Sequence, residues 1–362
     1  MTVCEISRNT SPLCFMPDGR LVCYSKGHVM LINDGTEAGR IPVAASKKEM
    51  FLGGSRHASR LFRLGIRTAT AIDDENILFS VGNSIYEANL TTGMISCGWY
   101  CGDGVRPLAF STVKGINGFI DGIYFGGYLQ NNEKQPVSIY LRKGEDCWDN
   151  IFTFPEGEIN HVHNIIEDSY RDCLWIFTGD FGDAAAIWKV SNGFKKVERV
   201  AYGNQKWRGC VAFALPEGLL YATDAPFADD FIYLLNPESM VLKELFPIHG
   251  SCIYGCQWKN QFVFSSTVEA DGRDETIWKL LFSRKRGSGI VDNYVRMYIG
   301  NPTQGFKVVY KEKKDWLPFI FQFGAFRFPT GVNNSDTLYF QPVAAKHDGI
   351  LMAIEDSSCA RV

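Results

Sequence analysis

The stretch that decides the fold runs from His161 to Val200. It reads His161-Val-His-Asn-Ile-Ile166, then the polar Asp168-Ser-Tyr-Arg-Asp172, then Cys173-Leu-Trp-Ile-Phe-Thr-Gly-Asp180. Ala185-Ala-Ile-Trp-Lys-Val190 follows, then the turn Ser191-Asn-Gly193, then Phe194-Lys-Lys-Val-Glu-Arg-Val200. Short apolar runs broken by Gly, Asn and Asp turns are the pattern of antiparallel strands, and long helical periodicity is missing. Four strands and three turns in about forty residues match one blade of a β-propeller.

The unit repeats. Gly209-Cys-Val-Ala-Phe-Ala214 and Leu219-Leu-Tyr-Ala-Thr-Asp224 lead to Phe231-Ile-Tyr-Leu-Leu235 and Val241-Leu-Lys-Glu-Leu-Phe246. Weaker copies pair Arg20–Tyr24 with His28–Ile32, Ile77–Val81 with Ser84–Ala88, and Gly122–Gly126 with Val137–Leu141. Gln261–Ser265 pairs with Thr276–Leu280, and Thr337–Phe340 with Gly349–Ala353. The reading is an all-β chain, a single β-propeller domain over residues 1–362 with seven four-stranded blades, six or eight being the alternative counts. Gln130–Pro136 and Lys285–Phe306 read as long blade loops.

Composition agrees and narrows the function classes. Aromatics make up 14% of the chain, the bias expected where rings pack on pleated faces. Net charge is −3, and the most basic stretch, Ser283–Arg286, holds only Arg284, Lys285 and Arg286. A nucleic-acid partner, which needs a basic stripe, is therefore not expected. No run approaches the ~18 apolar residues of a spanning helix, so no membrane insertion is expected. Met1–Ser7 lacks a basic segment followed by an apolar core, which gives a cytoplasmic expectation. The 11 cysteines are odd in number and sit mostly in apolar strands, as in a reducing compartment.

Two hairpins carry a family resemblance. Arg142-Lys-Gly-Glu-Asp-Cys-Trp148 followed by Ile151-Phe-Thr-Phe154, and Ile32-Asn-Asp-Gly-Thr-Glu-Ala-Gly-Arg-Ile-Pro42, look like degraded copies of Ser-x-Asp-x-Gly-x-x-Trp. That is the Asp-box, or BNR repeat, of sialidase-like propellers. His161-Val-His163 with Thr178-Gly-Asp180 resembles uncharacterised bacterial Asp-box proteins linked with polysaccharide metabolism. The resemblance implies a propeller fold and a carbohydrate-related role. Asp-boxes are structural turns away from the active face, so it assigns no catalytic residue. Arg40-Ile-Pro42 matches the sialidase Arg-Ile-Pro signature but ends a hairpin where the family opens its first inner strand, and is read as chance.

Ligands of propellers sit at the mouth of the central channel, where inner strands begin. Aligned there are Arg60, Arg106, His161, Arg208, Tyr254 and Gln322. Arg60, Arg106 and Arg208 suit a carboxylate, because a guanidinium offers a planar two-pronged donor; alternatively they pair with Asp103, Asp180 or Asp224. His161 and His163 lie two apart on a strand, facing one side. Three roles fit them: a general base with its neighbour, two metal ligands with His57 as third, or structural donors to carbonyls. Tyr254 is read as a nucleophile or proton donor, and Trp207 as a sugar-stacking or core ring. Asp180 and Asp224 each follow a second strand and read as turn residues bonding backbone amides.

No phosphate-binding Gly-rich loop, Gly-x-Ser-x-Gly elbow or His-Glu-x-x-His occurs. Cys97/Cys101 and Cys252/Cys256 lack the companions of a zinc site. No cofactor and no metal is expected. Two functions stand side by side. One is an acidic-glycan enzyme with His161, His163 and Tyr254 catalytic and Arg60, Arg106, Arg208, Trp207 and Gln322 binding the sugar. In it, β-elimination suits the residues better than hydrolysis, which wants two carboxylates across the bond. The other is a non-catalytic propeller binding an acidic oligosaccharide, a polysaccharide or a protein partner, as in surface-polysaccharide assembly.

Overall fold

A computed structural model describes residues 1–33, 36–43, 55–102, 105–271 and 276–355. Seven antiparallel sheets follow one another in a ring, the seven-bladed propeller read from the repeat. The fourth blade is His161–Asp168, Cys173–Gly179, Ala186–Ser191 and Lys196–Tyr202, inner strand first. In the third, the inner strand is broken into Arg106–Pro107 and Ser111–Val113, both pairing with Gly122–Tyr128. The seventh is closed by the other end of the chain. Thr2–Arg8 pairs antiparallel with Ile350–Glu355 as its outermost strand. This covers an edge that would otherwise present unpaired backbone groups.

The core is divided in the same way. Buried apolar side chains form one cluster in each gap between neighbouring blades, from Val22 with Phe79 in the first gap to Cys23 with Leu351 in the last. The second strands therefore bury both faces, one against the preceding blade and one against the following, which is why they read as near-continuous apolar runs.

A bulge recurs in every blade. The outermost strand carries one extra residue opposite the third strand, between Leu31 and Ile32, Ile85 and Tyr86, Ile139 and Tyr140, and Ile187 and Trp188. The series continues at Ile232 and Tyr233, Met297 and Tyr298, and Leu351 and Met352. An Ile–aromatic pair marks the third strand in four of these.

That signature explains the one misplaced strand. Thr276–Leu280, read as the third strand of the sixth blade, falls instead in an insert whose Ile277–Phe282 is helical. Its Ile277-Trp278 copies the Ile–aromatic pair, but Trp278 is 70% exposed. The true third strand is Tyr294–Asn301, which buries Val295, Met297, Tyr298 and Ile299. Lys285–Phe306 is accordingly not a loop; it contains this strand and the start of Gly305–Lys313. The Asp-box-like segment 142–148 is the hairpin between Val137–Gly144 and Cys147–Phe154, on the outer side of its blade. Its Trp148 packs on Trp99 and Phe125 of the blade interface. Among the described residues, no helix is long and apolar enough to cross a membrane.

Candidate functional site

Inner strands carry a second set of bulges, and these build the channel wall. The extra residue is Leu13 in the first blade, His163 in the fourth, Cys210 in the fifth and Ile253 in the sixth. A bulge re-aims a side chain out of the regular alternation. All four line one cavity of about 190 Å³ along the channel, together with Arg67, Leu108, Tyr254 and Arg327.

An adjoining cavity of about 160 Å³ shares Arg67, Leu108, Ile253, Tyr254 and Arg327 with the first. Its wall holds four guanidiniums, Arg63, Arg67, Arg106 and Arg327, with Tyr128, Tyr254 and Gln322. None of the four forms an ion pair with a carboxylate among the described residues. Their charges act on one another. Channel walls strip water from Arg67, and Arg106, Arg63 and Arg327 add like charge, so its acidity is raised and its pKa held below the usual guanidinium range. Arg106 is shifted the same way by desolvation and by Arg63. Arg106 lies over the Tyr128 ring at 5.5 Å and Arg327 over the Tyr254 ring at 5.7 Å. Four cations held together without a carboxylate partner among the described residues make this wall strongly electropositive, a setting that favours an anion with more than one acceptor oxygen.

Beside this cavity is a histidine pair. His161 and His163 are 4% and 3% exposed, and Tyr128 separates them from the arginines, its ring 4.3 Å from that of His161. His161 Nδ1 is 2.9 Å from the Leu129 carbonyl and His163 Nδ1 is 3.2 Å from the Gly209 carbonyl. A carbonyl only accepts, so each Nδ1 carries the hydrogen. The two Nε2 atoms face each other at 3.0 Å. Asp180 Oδ1 is 3.3 Å from one and 3.7 Å from the other. Gly179 makes this packing possible, since a Cβ there would stand 2.3 Å from His163 Cε1.

Arg208 completes the cluster from the fifth blade. Its Nη2 is 3.1 Å from both Asp180 and Asp224. Burial disfavours the Arg208 charge, but Asp224 and Asp180 outweigh it and raise its pKa. Burial likewise opposes the Asp180 carboxylate, yet the adjoining His161 and His163 rings and the Arg208 charge hold its pKa far below the usual range. Burial also lowers the His163 pKa.

The predicted residues thus divide. Arg106, Tyr254 and Gln322 line the arginine cavity, and His163 lines the one beside it, with His161 behind. Arg208 is committed to carboxylates, the alternative weighed for it. Arg60 is not at the channel. It lies in the helix Arg56–Leu61 and is 2% exposed, pairing with Asp315 and Asp348. The repeat alignment slipped there because the blade opens at Ala69, so Arg67 takes the channel position. Trp207 packs in the core between the fourth and fifth blades, with Lys206 over its ring at 4.7 Å. His57 is exposed and outside the histidine cluster. Asp180 and Asp224 bond Arg208 instead of turn amides; Asp103 lies outside the described residues. Arg63, Arg67, Arg327 and Tyr128 were missed, because a turn before a strand and a second strand's last residue carry no periodic signal.

No family model matches the chain, and no curated protein matches it. Solved structures share its fold. An oligogalacturonate lyase from Vibrio parahaemolyticus aligns with TM-score 0.60 and 13% identity over 98% of this chain and 94% of that one. An oligogalacturonate lyase in complex with manganese aligns with TM-score 0.57 and 11% identity, over 99% and 94%. The AfRom2 CNH domain aligns with TM-score 0.54 and 6% identity, over 98% and 99%. At these identities the likeness establishes a shared propeller fold.

Proposed function

We propose that this protein takes the end of an acidic oligosaccharide into the arginine cavity and cleaves it by β-elimination. The observation that carries the reading is the set of four guanidiniums lining one cavity with no carboxylate partner among the described residues. A cavity of about 160 Å³ is smaller than the ~300–1,000 Å³ of drug-sized sites and suits a terminal acidic ring better than a polymer stretch. The fold likeness to two oligogalacturonate lyases supports the same substrate class.

The chemistry follows from the wall. Guanidiniums neutralise the uronate carboxylate and so acidify the C5 proton beside it. Tyr254, entering the step as a phenolate beside the Arg327 charge, takes that proton onto its oxygen as the C5–H bond breaks. The electron pair forms the C4=C5 double bond, and the C4–O4 bond breaks. Tyr128 hands its phenolic proton to the departing O4. Burial, with Cys210, Asp180 and Asp224, pushes the Tyr128 pKa up and keeps that proton in place at neutral pH.

The test is mass spectrometry of products after incubation with a panel of acidic oligosaccharides. Fragments with a new double bond are expected. Fragments that gained water make the protein a hydrolase and remove the elimination mechanism. Unchanged substrates that still bind make it a non-catalytic receptor for the same ligands.

A further inference from the structure

We infer that His161, His163 and Asp180 form a binding site for one divalent transition-metal ion. The argument is a count of lone pairs. Each imidazole has its Nδ1 hydrogen on a carbonyl, that of Leu129 or of Gly209. A neutral ring with hydrogen on Nδ1 presents a bare lone pair at Nε2. The two Nε2 atoms are nonetheless 3.0 Å apart, and Asp180 Oδ1 sits 3.3 and 3.7 Å from them. Three acceptors converge on one point with no hydrogen among them. Such an arrangement needs a cation at its focus, either a proton or a metal ion.

The spacing favours the metal. Donors about 2.1 Å from an ion stand roughly 3.0 Å apart at right angles and roughly 3.4 Å apart in a tetrahedron. The three separations here bracket those values. Two imidazoles and one carboxylate select a borderline ion of the zinc, cobalt, iron or manganese group over calcium or magnesium, which prefer all-oxygen sites. The carbonyls that hold Nδ1 orient both rings in the way outer partners of metal-bound histidines do. Asp180 is about one-third exposed on its side chain, so further coordination positions reach the solvent.

Neighbouring charges permit it. Arg208 also bonds Asp180 Oδ1, at 3.1 Å, but Asp224 neutralises that guanidinium from the same distance. Cys210 and Asp224 come near His163 as well. The Cys210 thiol donates to Asp224 at 3.4 Å, whereas Asp180 Oδ1 faces both Nε2 atoms, which makes Asp180 the third ligand. His57, the third ligand considered from sequence, is exposed on the helix Arg56–Leu61 before the second blade. The metal site stands independently of the glycan reading.

The experiment is a titration of chelator-treated protein with Co²⁺, followed by visible absorption and calorimetry, with no substrate present. One equivalent is expected to bind and give ligand-field bands of a nitrogen–oxygen site. Asp180→Asn keeps the shape and removes the charged ligand, and weakens Co²⁺ by at least about tenfold. His163→Asn does the same, and His57→Ala changes nothing. Circular dichroism of each variant separates ligand loss from unfolding. Absence of binding to the wild-type protein overturns the site in favour of a shared proton, as does undiminished binding to a folded Asp180→Asn variant.

Discussion

Tyr128 and His161 pack with ring centroids 4.3 Å apart and planes tilted by 48°, and through that contact the arginine cavity and the histidine cluster share one wall. The other side of the phenol meets Arg106. Tyr128→Phe preserves both ring contacts and removes only the hydroxyl. Turnover is expected to fall by about 10²–10⁴ with ligand affinity nearly unchanged, the signature of a lost proton donor. Tyr128→Ala is expected to destabilise the fold by about 2 kcal/mol as well. A Tyr128→Phe variant with full kcat removes the phenol from the mechanism.

Arg67 carries an unfavourable environment in the absence of ligand. Desolvation and three neighbouring guanidiniums act against its charge. Arg67→Met is therefore expected to raise the thermal midpoint of the free protein by roughly 2 °C while abolishing the stabilisation that an acidic sugar gives the wild type. Thermal melts with and without ligand measure both. A lower midpoint in Arg67→Met shows that the arginine supports the fold through contacts beyond the cluster.

Gly179 is required by His163. A Cβ there would lie 2.3 Å from His163 Cε1 and 2.5 Å from its Nε2. Gly179→Ala must push the ring off its place, at about 1–3 kcal/mol of overpacking. Loss of Co²⁺ binding together with that destabilisation, read by calorimetry and denaturant melts, is the expected result. Normal metal binding in the variant contradicts the packing.

Acid sensitivity has a source away from the channel. Asp348 receives two hydrogen bonds from Arg56, at 2.7 and 2.8 Å, and lies 3.4 Å from Arg60. Burial alone raises its pKa, but the Arg56 hydrogen bonds and the Arg56 and Arg60 charges prevail and lower it. A carboxyl whose pKa is lower in the folded state stabilises the fold fully above its unfolded value of about 3.9, and that stability is lost as pH falls through the folded value. Asp348→Asn is expected to cost about 2 kcal/mol at pH 7 and progressively less as the wild-type carboxyl is protonated below pH 4. Denaturant melts across that range report it. A deficit that does not shrink in acid assigns the effect to packing.

The ring of blades was legible because each blade repeats the same apolar strands, and four of the seven the same Ile–aromatic pair, a local signal that survives without alignment. The sixth blade defeated it through Ile277-Trp278, where the pair stands on an exposed helix turn. Closure of the last blade by Thr2–Arg8 was not legible, since a pairing between chain ends leaves no trace in spacing. At the site, His161 and His163 are legible as two imidazoles at the start of an inner strand, but the bulge at His163 that aims its ring is not. Arg63, Arg67 and Arg327 were not, because they reach the cavity from a turn, a strand entry and a short strand whose positions depend on the ring. Arg60 was chosen in their place by a shift of seven residues, enough to exchange a channel cation for one buried under Asp315 and Asp348.

Recognition of carboxylates by the arginine cavity is the central claim, and one calorimetric comparison tests it directly. Trigalacturonate and its carboxyl-reduced counterpart have the same linkage and nearly the same shape, and differ in charge. Salt-dependent binding of the acid is expected, with at least about 100-fold weaker binding of the reduced trimer, the loss of more than one charge-assisted pair. Equal affinity for the two, or no binding of either, contradicts it.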